Sequence, residues 1–167
     1  MIALVLGGTR SGKSRVAERL AATLAPPITF VATAAALDDD MAARVARHRA
    51  ARPAGWTTID GADLLRALRR RDGTMVVDSL GTWVASRPDF VVEVDRLCAA
   101  LAARRGDTVV VSDEVGLGVH PSTPTGRRFR DALGEANQGV AEIADHVMLV
   151  VAGRVLVLAP APGTVGR

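Results

Sequence analysis

Residues 7–14 of the chain (GGTRSGKS) follow the pattern G-x-x-x-x-G-K-S. The apolar run before them, residues 1–6 (MIALVL), predicts a buried parallel strand, and residues 14–24 after them carry apolar side chains at helical spacing. In this order of strand, glycine loop and helix, backbone N–H groups and the positive helix end face phosphate oxygens. A glycine-rich turn that arose by chance would not be expected to lie between a strand and a helix. The pattern therefore predicts an α/β fold built around a phosphate-binding loop.

The loop contains the only lysine of the chain, Lys13, while all other basic residues are arginine. A compact ammonium on a slim stem can lie along such a loop and reach the β- and γ-phosphates, where a planar guanidinium does not fit. The hydroxyl of Ser14 can bind a Mg²⁺ ion held on the same phosphates. We therefore predict that Lys13 is catalytic and that Ser14 is a metal ligand. The predicted nucleotide-binding residues here are Gly7, Gly8, Thr9, Arg10, Ser11, Gly12, Lys13 and Ser14.

The length, composition and charge of the chain indicate a single domain with an aliphatic core. The chain has 167 residues, and we predict one domain at residues 1–158 followed by a frayed tail at 159–167. A hydrophobic fraction of 49% with only 3% aromatics indicates an aliphatic interior. The sequence pI of about 10.3 accompanies a net charge of only +3, because arginine replaces lysine and tyrosine is absent. Since no basic stripe is interleaved with aromatics, we predict no nucleic-acid binding.

The N-terminus, the apolar runs and the cysteine content indicate the cellular compartment of the protein. The N-terminal apolar run has no basic region before it and is broken by Gly7 and Gly8, unlike a signal peptide. No apolar run reaches membrane-spanning length. The single cysteine, Cys98, cannot form an internal disulfide, and we expect it to be a small core residue. These features predict a cytoplasmic protein with no membrane segment.

Apolar runs alternate with helical patterns along the rest of the chain. Helices are predicted at 14–24, 37–52, 62–71, 90–104 and 126–144, and strands at 1–6, 28–33, 74–78 and 108–112. Two further apolar runs, 146–151 and 154–158, are joined by Ala152-Gly153 and predict a hairpin. The expected architecture is P-loop NTPase-like, a mostly parallel sheet flanked by helices with a C-terminal antiparallel hairpin at its edge.

Ligands of such sheets gather at the carboxyl ends of the strands, so residues just after each strand are candidates. Asp78 ends one strand and is predicted to hold Mg²⁺ or its water shell. Asp113 and Glu114 end the next strand and compete for that role, and each carboxylate could instead cap a helix or a loop. After the second strand, the backbone of residues 32–34 (Ala32, Thr33 and Ala34) is placed to reach a nucleotide.

The predicted helix at 37–52 carries a histidine, His48, on one face with Met41 and Val45. A histidine on an apolar stripe is often a packed side chain. Arg49 and Arg52 favour a second interpretation, because nearby cations disfavour the imidazolium and keep the ring neutral and nucleophilic. The same cations could hold the phosphates of the molecule that His48 attacks. The residues therefore leave two interpretations of His48 open, a packed side chain and a nucleophile with Arg49 and Arg52 as phosphate-binding cations.

Five segments in this order resemble the bifunctional adenosylcobinamide kinase / adenosylcobinamide-phosphate guanylyltransferase family. They are GGTRSGKS, VATA, DDDMAARVARHRAARPAGW, DEVGLGV and the stretch from Arg128 to Gln138. The resemblance covers nearly the whole chain. The glycine loop is shared by many families, whereas the histidine-containing segment and the two late stretches are far more specific.

The resemblance implies that the enzyme phosphorylates adenosylcobinamide with GTP or ATP. It then transfers GMP from GTP, through a guanylylated histidine matching His48, to adenosylcobinamide phosphate, giving adenosylcobinamide-GDP for coenzyme B12. It also implies a preference for guanine and a homotrimer. The nucleotide contacts that it implies are made by the phosphate loop, residues 32–34, Arg49, Arg52, Asp60 and Asp78. His120 and His146 fall outside the matching segment, and we expect each to be structural.

Two other functions fit the residues. A monofunctional P-loop small-molecule kinase would leave no GMP on the protein. A nucleotide-binding regulatory module would hydrolyse nucleotide in response to a protein or nucleic acid and ignore cobinamide. The sequence contains no Asn-Lys-x-Asp guanine motif and no extended partner-binding segment, which disfavours the module.

Overall fold

The computed structural model describes residues 1–33, 53, 55–61, 63–70 and 72–162. Within these residues, seven strands form one sheet in the order β3-β2-β4-β5-β1-β6-β7. The strands are β1 (Ile2–Gly7), β2 (Ile28–Ala32), β3 (Thr57–Asp60), β4 (Thr74–Asp78), β5 (Thr108–Asp113), β6 (His146–Val151) and β7 (Arg154–Leu158). Neighbouring strands are parallel except for β7, which pairs antiparallel with β6.

The described helices are α1 (Lys13–Ala21), α2 (Leu64–Ala67), α3 (Leu80–Ala85), α4 (Val94–Ala102) and α5 (Pro124–Ile143), with a 3₁₀ turn at Pro88–Phe90. They cover both faces of the sheet. Successive side chains of a strand point to opposite faces, so neighbouring residues of one strand pack against different helices. Leu4 of β1 joins the core beneath α4 and α5, and its neighbour Val5 packs with Ala17 and Ala21 of α1. Buried aliphatic side chains on both faces are typical of parallel strands covered by helices.

The predicted α/β architecture is confirmed, including the hairpin. The strand at 74–78 and both hairpin strands match the prediction residue for residue. β2 and β5 differ from it by one residue at their C-terminal ends, and β1 is shifted by one residue at both ends. The helix predicted at 14–24 is α1, ending at Ala21, and the helix predicted at 126–144 is α5, beginning at Pro124. The helix predicted at 37–52 lies outside the described residues, as does the tail at 163–167.

Two predicted helices are shorter in the structure. The helix predicted at 62–71 spans only Leu64–Ala67, and the carboxylate of Asp63 caps it by accepting from the N–H of Leu65 at 3.2 Å. The helix predicted at 90–104 begins at Val94, because the preceding residues form the 3₁₀ turn with Phe90 at a φ of 61°. A positive φ at a side chain other than glycine is incompatible with a right-handed helix.

Two elements were not predicted. β3 is a four-residue edge strand with the sequence TTID and exposed ends, so it lacks the apolar run expected of a buried strand. α3 has six residues, too few to show helical periodicity, and begins with a capping box between Ser79 and Thr82.

Cys98 lies on α4, half-buried and packed against the core beneath α5. Burial raises the pKa of its thiol, and the carboxylates of Asp95 and Glu142 add to the shift. Helices α4 and α5 approach closely at Gly139, where an added Cβ would clash with Val94. None of the helices in the described part of the chain is long and apolar enough to cross a membrane.

Candidate phosphate-binding site

The glycine loop connects β1 to α1 and turns tightly on its own backbone. The N–H of Ser11 donates to the carbonyl of Gly8 at 3.2 Å, and Arg10 has a φ of 57°. Gly12 precedes α1 with a φ of 94°, a conformation that favours glycine. This turn starts the helix at Lys13, so the first N–H groups of α1 face the loop.

Lys13 is buried inside this loop, with only 7% of its surface exposed. Its Nζ donates to the carbonyl oxygen of Gly8 at 3.2 Å and forms an ion pair with Oδ1 of Asp113 at 2.7 Å. The ammonium therefore crosses the loop and lies beside a carboxylate. This position fits a cation that neutralises phosphate charge within the loop.

Asp113 reaches Lys13 because β5 lies next to β1, with Asp113 opposite Gly7. Asn137 of α5 fixes the end of this strand, since its Nδ2 donates to the carbonyl of Asp113 at 3.1 Å. Its Oδ1 accepts from the hydroxyl of Ser112 at 2.6 Å. Gly81 of α3 leaves room for the carboxylate, because an added Cβ would lie 2.5 Å from its Oδ2.

The roles of Asn137 and Gly81 at this site were not predicted from the sequence. Asn137 lies within one of the stretches that carry the family resemblance, which was a signal that it mattered. Gly81 gave no signal, because a single glycine after a strand has many possible causes.

The competing carboxylate Glu114 serves its own loop. Its Oε1 accepts from the N–H of Gly116 at 2.5 Å and from the N–H of Leu117 at 3.2 Å. Of the two acidic residues at the end of β5, Asp113 is therefore the one that contacts Lys13.

Asp78 and Thr33 lie at the carboxyl ends of neighbouring strands, as predicted. The N–H of Thr33 donates to the carbonyl of Asp78 at 3.1 Å. The Thr33 hydroxyl donates to the carbonyl of Ser79 and accepts from the N–H of Ser79, and it lies 2.6 Å from the Thr82 hydroxyl. Thr33 is buried, so its side chain ties β2 to the start of α3. Ala32 ends β2 opposite Asp78, and Ala34 lies outside the described residues.

The sheet order sets how far each acidic candidate lies from the loop. Neighbouring strands are about 4.8 Å apart, so Asp78, two strands from β1, lies roughly 10 Å across the sheet. Asp60 is exposed at the end of β3, four strands from β1 and roughly 19 Å away. The structure therefore brings Asp113 to the loop and Asp78 near it, and it places Asp60 at the far edge.

The oxygen-bearing side chains around the loop fit a Mg²⁺ ion that takes most of its ligands from nucleotide phosphates and water. No group of three or more His, Cys, Asp or Glu side chains in the described ranges could hold a metal ion. Ser14 lies in the first turn of α1, and carboxylates end the two strands nearest β1 on that side. Mg²⁺ commonly keeps several waters and binds through one or two protein oxygens plus substrate phosphates. These residues fit that mode of binding.

The predicted residues His48, Arg49 and Arg52 lie outside the described residues. The other two histidines are exposed. Nδ1 of His120 lies 2.8 Å from Nη1 of Arg130. His146 begins β6 opposite Ala3, whereas Gly7 at the start of the loop pairs with Val150 near the other end of β6. His146 therefore lies at the end of the sheet away from the loop.

Comparison with known proteins supplies the biological context. The bifunctional adenosylcobalamin biosynthesis protein CobP of Pseudomonas aeruginosa is 40% identical over 162 residues, covering 90% of this chain and 92% of CobP. The bifunctional adenosylcobalamin biosynthesis protein CobU of Salmonella typhimurium is 36% identical over 176 residues, covering 92% of this chain and 97% of CobU.

Among solved structures, the flagellar accessory protein FlaH from Methanocaldococcus jannaschii aligns with a TM-score of 0.50 at 15% identity. The alignment covers 92% of this chain and 74% of FlaH, and it shows the fold alone.

The family model of cobinamide kinase / cobinamide phosphate guanyltransferase matches residues 3–158, from the first strand to the end of β7. The match spans the glycine loop, the strand ends around it and the histidine-containing segment. It confirms the resemblance found in the motifs. The chain belongs to the cobinamide kinase / cobinamide phosphate guanyltransferase family.

Proposed function

We propose that this protein phosphorylates the hydroxyl of adenosylcobinamide with GTP or ATP and then transfers GMP from GTP to the resulting phosphate through His48. The observation that carries the proposal is the ion pair between Lys13 of the phosphate loop and Asp113 at the end of β5, at 2.7 Å. It lies in a chain that matches the family over residues 3–158. A loop cation next to a strand-end carboxylate supplies phosphate binding and a proton acceptor together.

In the kinase step, the substrate hydroxyl oxygen attacks the γ-phosphorus. A new P–O bond forms, the bond to the β-phosphate oxygen breaks, and the nucleoside diphosphate leaves. Lys13 and the loop N–H groups stabilise the charge on the transferred group and on the leaving group. We assign the hydroxyl proton to Asp113, because its carboxylate lies beside the lysine that binds the same phosphates.

In the guanylyl step, a neutral imidazole nitrogen of His48 attacks the α-phosphorus of GTP. A P–N bond forms as the bond to the pyrophosphate breaks, and the other ring nitrogen keeps its single N–H proton, so the ring can later leave as neutral imidazole. A phosphate oxygen of adenosylcobinamide phosphate then attacks the same phosphorus and displaces the imidazole. The ring is regenerated, and the product is adenosylcobinamide-GDP.

Magnesium would bind through Ser14 and Asp78 on the nucleotide phosphates, where it neutralises their charge. The nucleotide contacts assigned to Asp60, Arg49 and Arg52, the preference for guanine, and a cytoplasmic homotrimer belong to the same proposal. The family resemblance supports them.

The test follows both products by chromatography with purified protein, adenosylcobinamide, Mg²⁺ and GTP. Lys13→Ala is expected to lose both products, and His48→Ala to accumulate adenosylcobinamide phosphate without the GDP derivative. His146→Ala is the matched control, because that histidine is exposed at the opposite end of the sheet. Normal formation of adenosylcobinamide-GDP by His48→Ala would refute the role of His48. Wild-type protein that stops at the phosphate would be a monofunctional kinase.

A further inference from the structure

The turn of the C-terminal hairpin touches the phosphate loop. The N–H of Gly153 donates to the carbonyl oxygen of Ser11 at 2.8 Å. Ala152 and Gly153 have φ angles of 49° and 72°, so the two-residue turn has the positive φ values of type I′. The contact joins two segments that are far apart in the sequence.

Strand pairing brings the turn to this position. β6 runs parallel to β1, with Val150 opposite Gly7, so the turn after Val151 is level with the loop that follows Gly7. The two backbones approach closely, because an added Cβ on Gly12 would lie 3.4 Å from the Cα of Gly153. Ser11 itself is buried, with 9% of its surface exposed.

The hydrogen bond orients one peptide unit of the loop. In a trans peptide, the carbonyl of one residue and the N–H of the next point in opposite directions. The carbonyl of Ser11 points toward the hairpin, so the N–H of Gly12 points away from it. That N–H precedes Lys13 at the start of α1, where the N–H groups bind phosphate in loops of this type.

The outer strand of the hairpin contributes little to the core. Val155, Leu156 and Val157 are 47%, 59% and 69% exposed. The turn, in contrast, contacts a buried residue of the phosphate loop.

We propose that Gly153 is a positioning residue for phosphate binding, because its N–H holds the Ser11–Gly12 peptide with the Gly12 N–H facing the nucleotide phosphates. This inference rests on the proposed function only in that the loop binds a nucleoside triphosphate. It assigns a role in that binding to the hairpin turn.

The test measures GTP affinity by calorimetry for three variants of the full chain. Replacing Gly153 by glycolic acid removes the N–H with no added side chain. Gly153→Asn keeps the N–H and tolerates the positive φ. Val157→Gly weakens the hairpin away from the turn, and its melting temperature provides the comparison for a general loss of stability.

The glycolic acid variant is expected to bind GTP about ten- to a hundredfold more weakly, the size of one hydrogen bond to a charged group. Gly153→Asn and Val157→Gly should stay close to wild type. If the glycolic acid variant binds GTP as tightly as wild type, the inference is wrong. It is also wrong if Val157→Gly, at an equal loss of melting temperature, weakens binding as much as the glycolic acid variant does. Wild-type protein that does not bind GTP would instead overturn the proposed function.

Discussion

Lys13 and Asp113 are the residues on which the chemistry depends most. The sequence predicted Lys13 from its loop and its uniqueness, and the structure buries it with its ammonium across the loop. The sequence favoured Asp78 as the metal ligand and left Asp113 and Glu114 as competitors, because strand order cannot be obtained from the order of apolar runs. The structure separates them, since Asp113 contacts Lys13, Asp78 lies two strands away and Glu114 binds its own loop.

The first prediction concerns Asp113→Asn. The amide keeps the size of the side chain but cannot accept the hydroxyl proton, so the kinase kcat should fall by about a hundredfold or more. GMP transfer to His48 uses no substrate hydroxyl and should persist. Separate assays of adenosylcobinamide phosphate and of protein-bound GMP make this comparison. Equal loss of both activities would show that Asp113 acts by placing Lys13.

The second prediction concerns Gly81→Ala. The new methyl group would lie 2.5 Å from Oδ2 of Asp113, so the carboxylate must rotate away from its position beside Lys13. The kinase rate should fall while the melting temperature changes little, because the moving atom is the tip of a side chain. Gly134→Ala on α5 is the matched control, since nothing lies within 4 Å of its added Cβ. A Gly81→Ala enzyme with wild-type kinase rate would remove Gly81 from the site.

At the scale of elements, the sequence predicted long or strongly apolar segments well and short polar ones poorly. β4 and the hairpin strands match their apolar runs, whereas β3 has no apolar run and α3 is too short to show helical periodicity. β3 pairs along the edge of β2, and α3 depends on the hydroxyls of Ser79, Thr82 and Thr33.

The third prediction concerns the hairpin turn. Ala152 has a φ of 49°, which costs an alanine about 1–2 kcal/mol, and asparagine tolerates this conformation better. Ala152→Asn creates the Asn-Gly pair favoured in type I′ turns and should raise the free energy of unfolding by about 1 kcal/mol. Denaturant unfolding measures the change. An unchanged or lower stability would indicate that the turn relaxes without strain at Ala152.

In the whole molecule, the candidate functional residues and a buried arginine that stabilises the fold lie at opposite ends of the parallel sheet. The phosphate loop and the acidic candidates lie at the carboxyl ends of the strands, as the sequence predicted for this fold. At the opposite end, the buried side chain of Arg104 donates to Thr108 Oγ1 at 2.9 Å, to the carbonyl of Gly73 at 2.7 Å and to the carbonyl of Arg70. Burial lowers the pKa of Arg104, and Asp72 opposes this shift.

The fourth prediction follows from this separation. Arg104→Leu leaves three acceptors without their donor, so the free energy of unfolding should fall by about 3 kcal/mol or more. The kinase kcat of the folded fraction should stay near wild type, because Arg104 lies at the end of the sheet away from the loop. Denaturant unfolding and activity at low temperature test the two parts. A specific loss of kcat with unchanged stability would contradict this view of the fold.

Transfer of GMP to His48 can be read from the intact mass of the protein after incubation with Mg²⁺ and GTP. In parallel, the same protein is incubated with ATP, and His48→Ala with GTP. We expect one acid-labile GMP per chain, formed from GTP but not from ATP and absent from His48→Ala. A folded protein that binds GTP and gains no GMP would contradict the guanylyl transfer and leave a kinase alone.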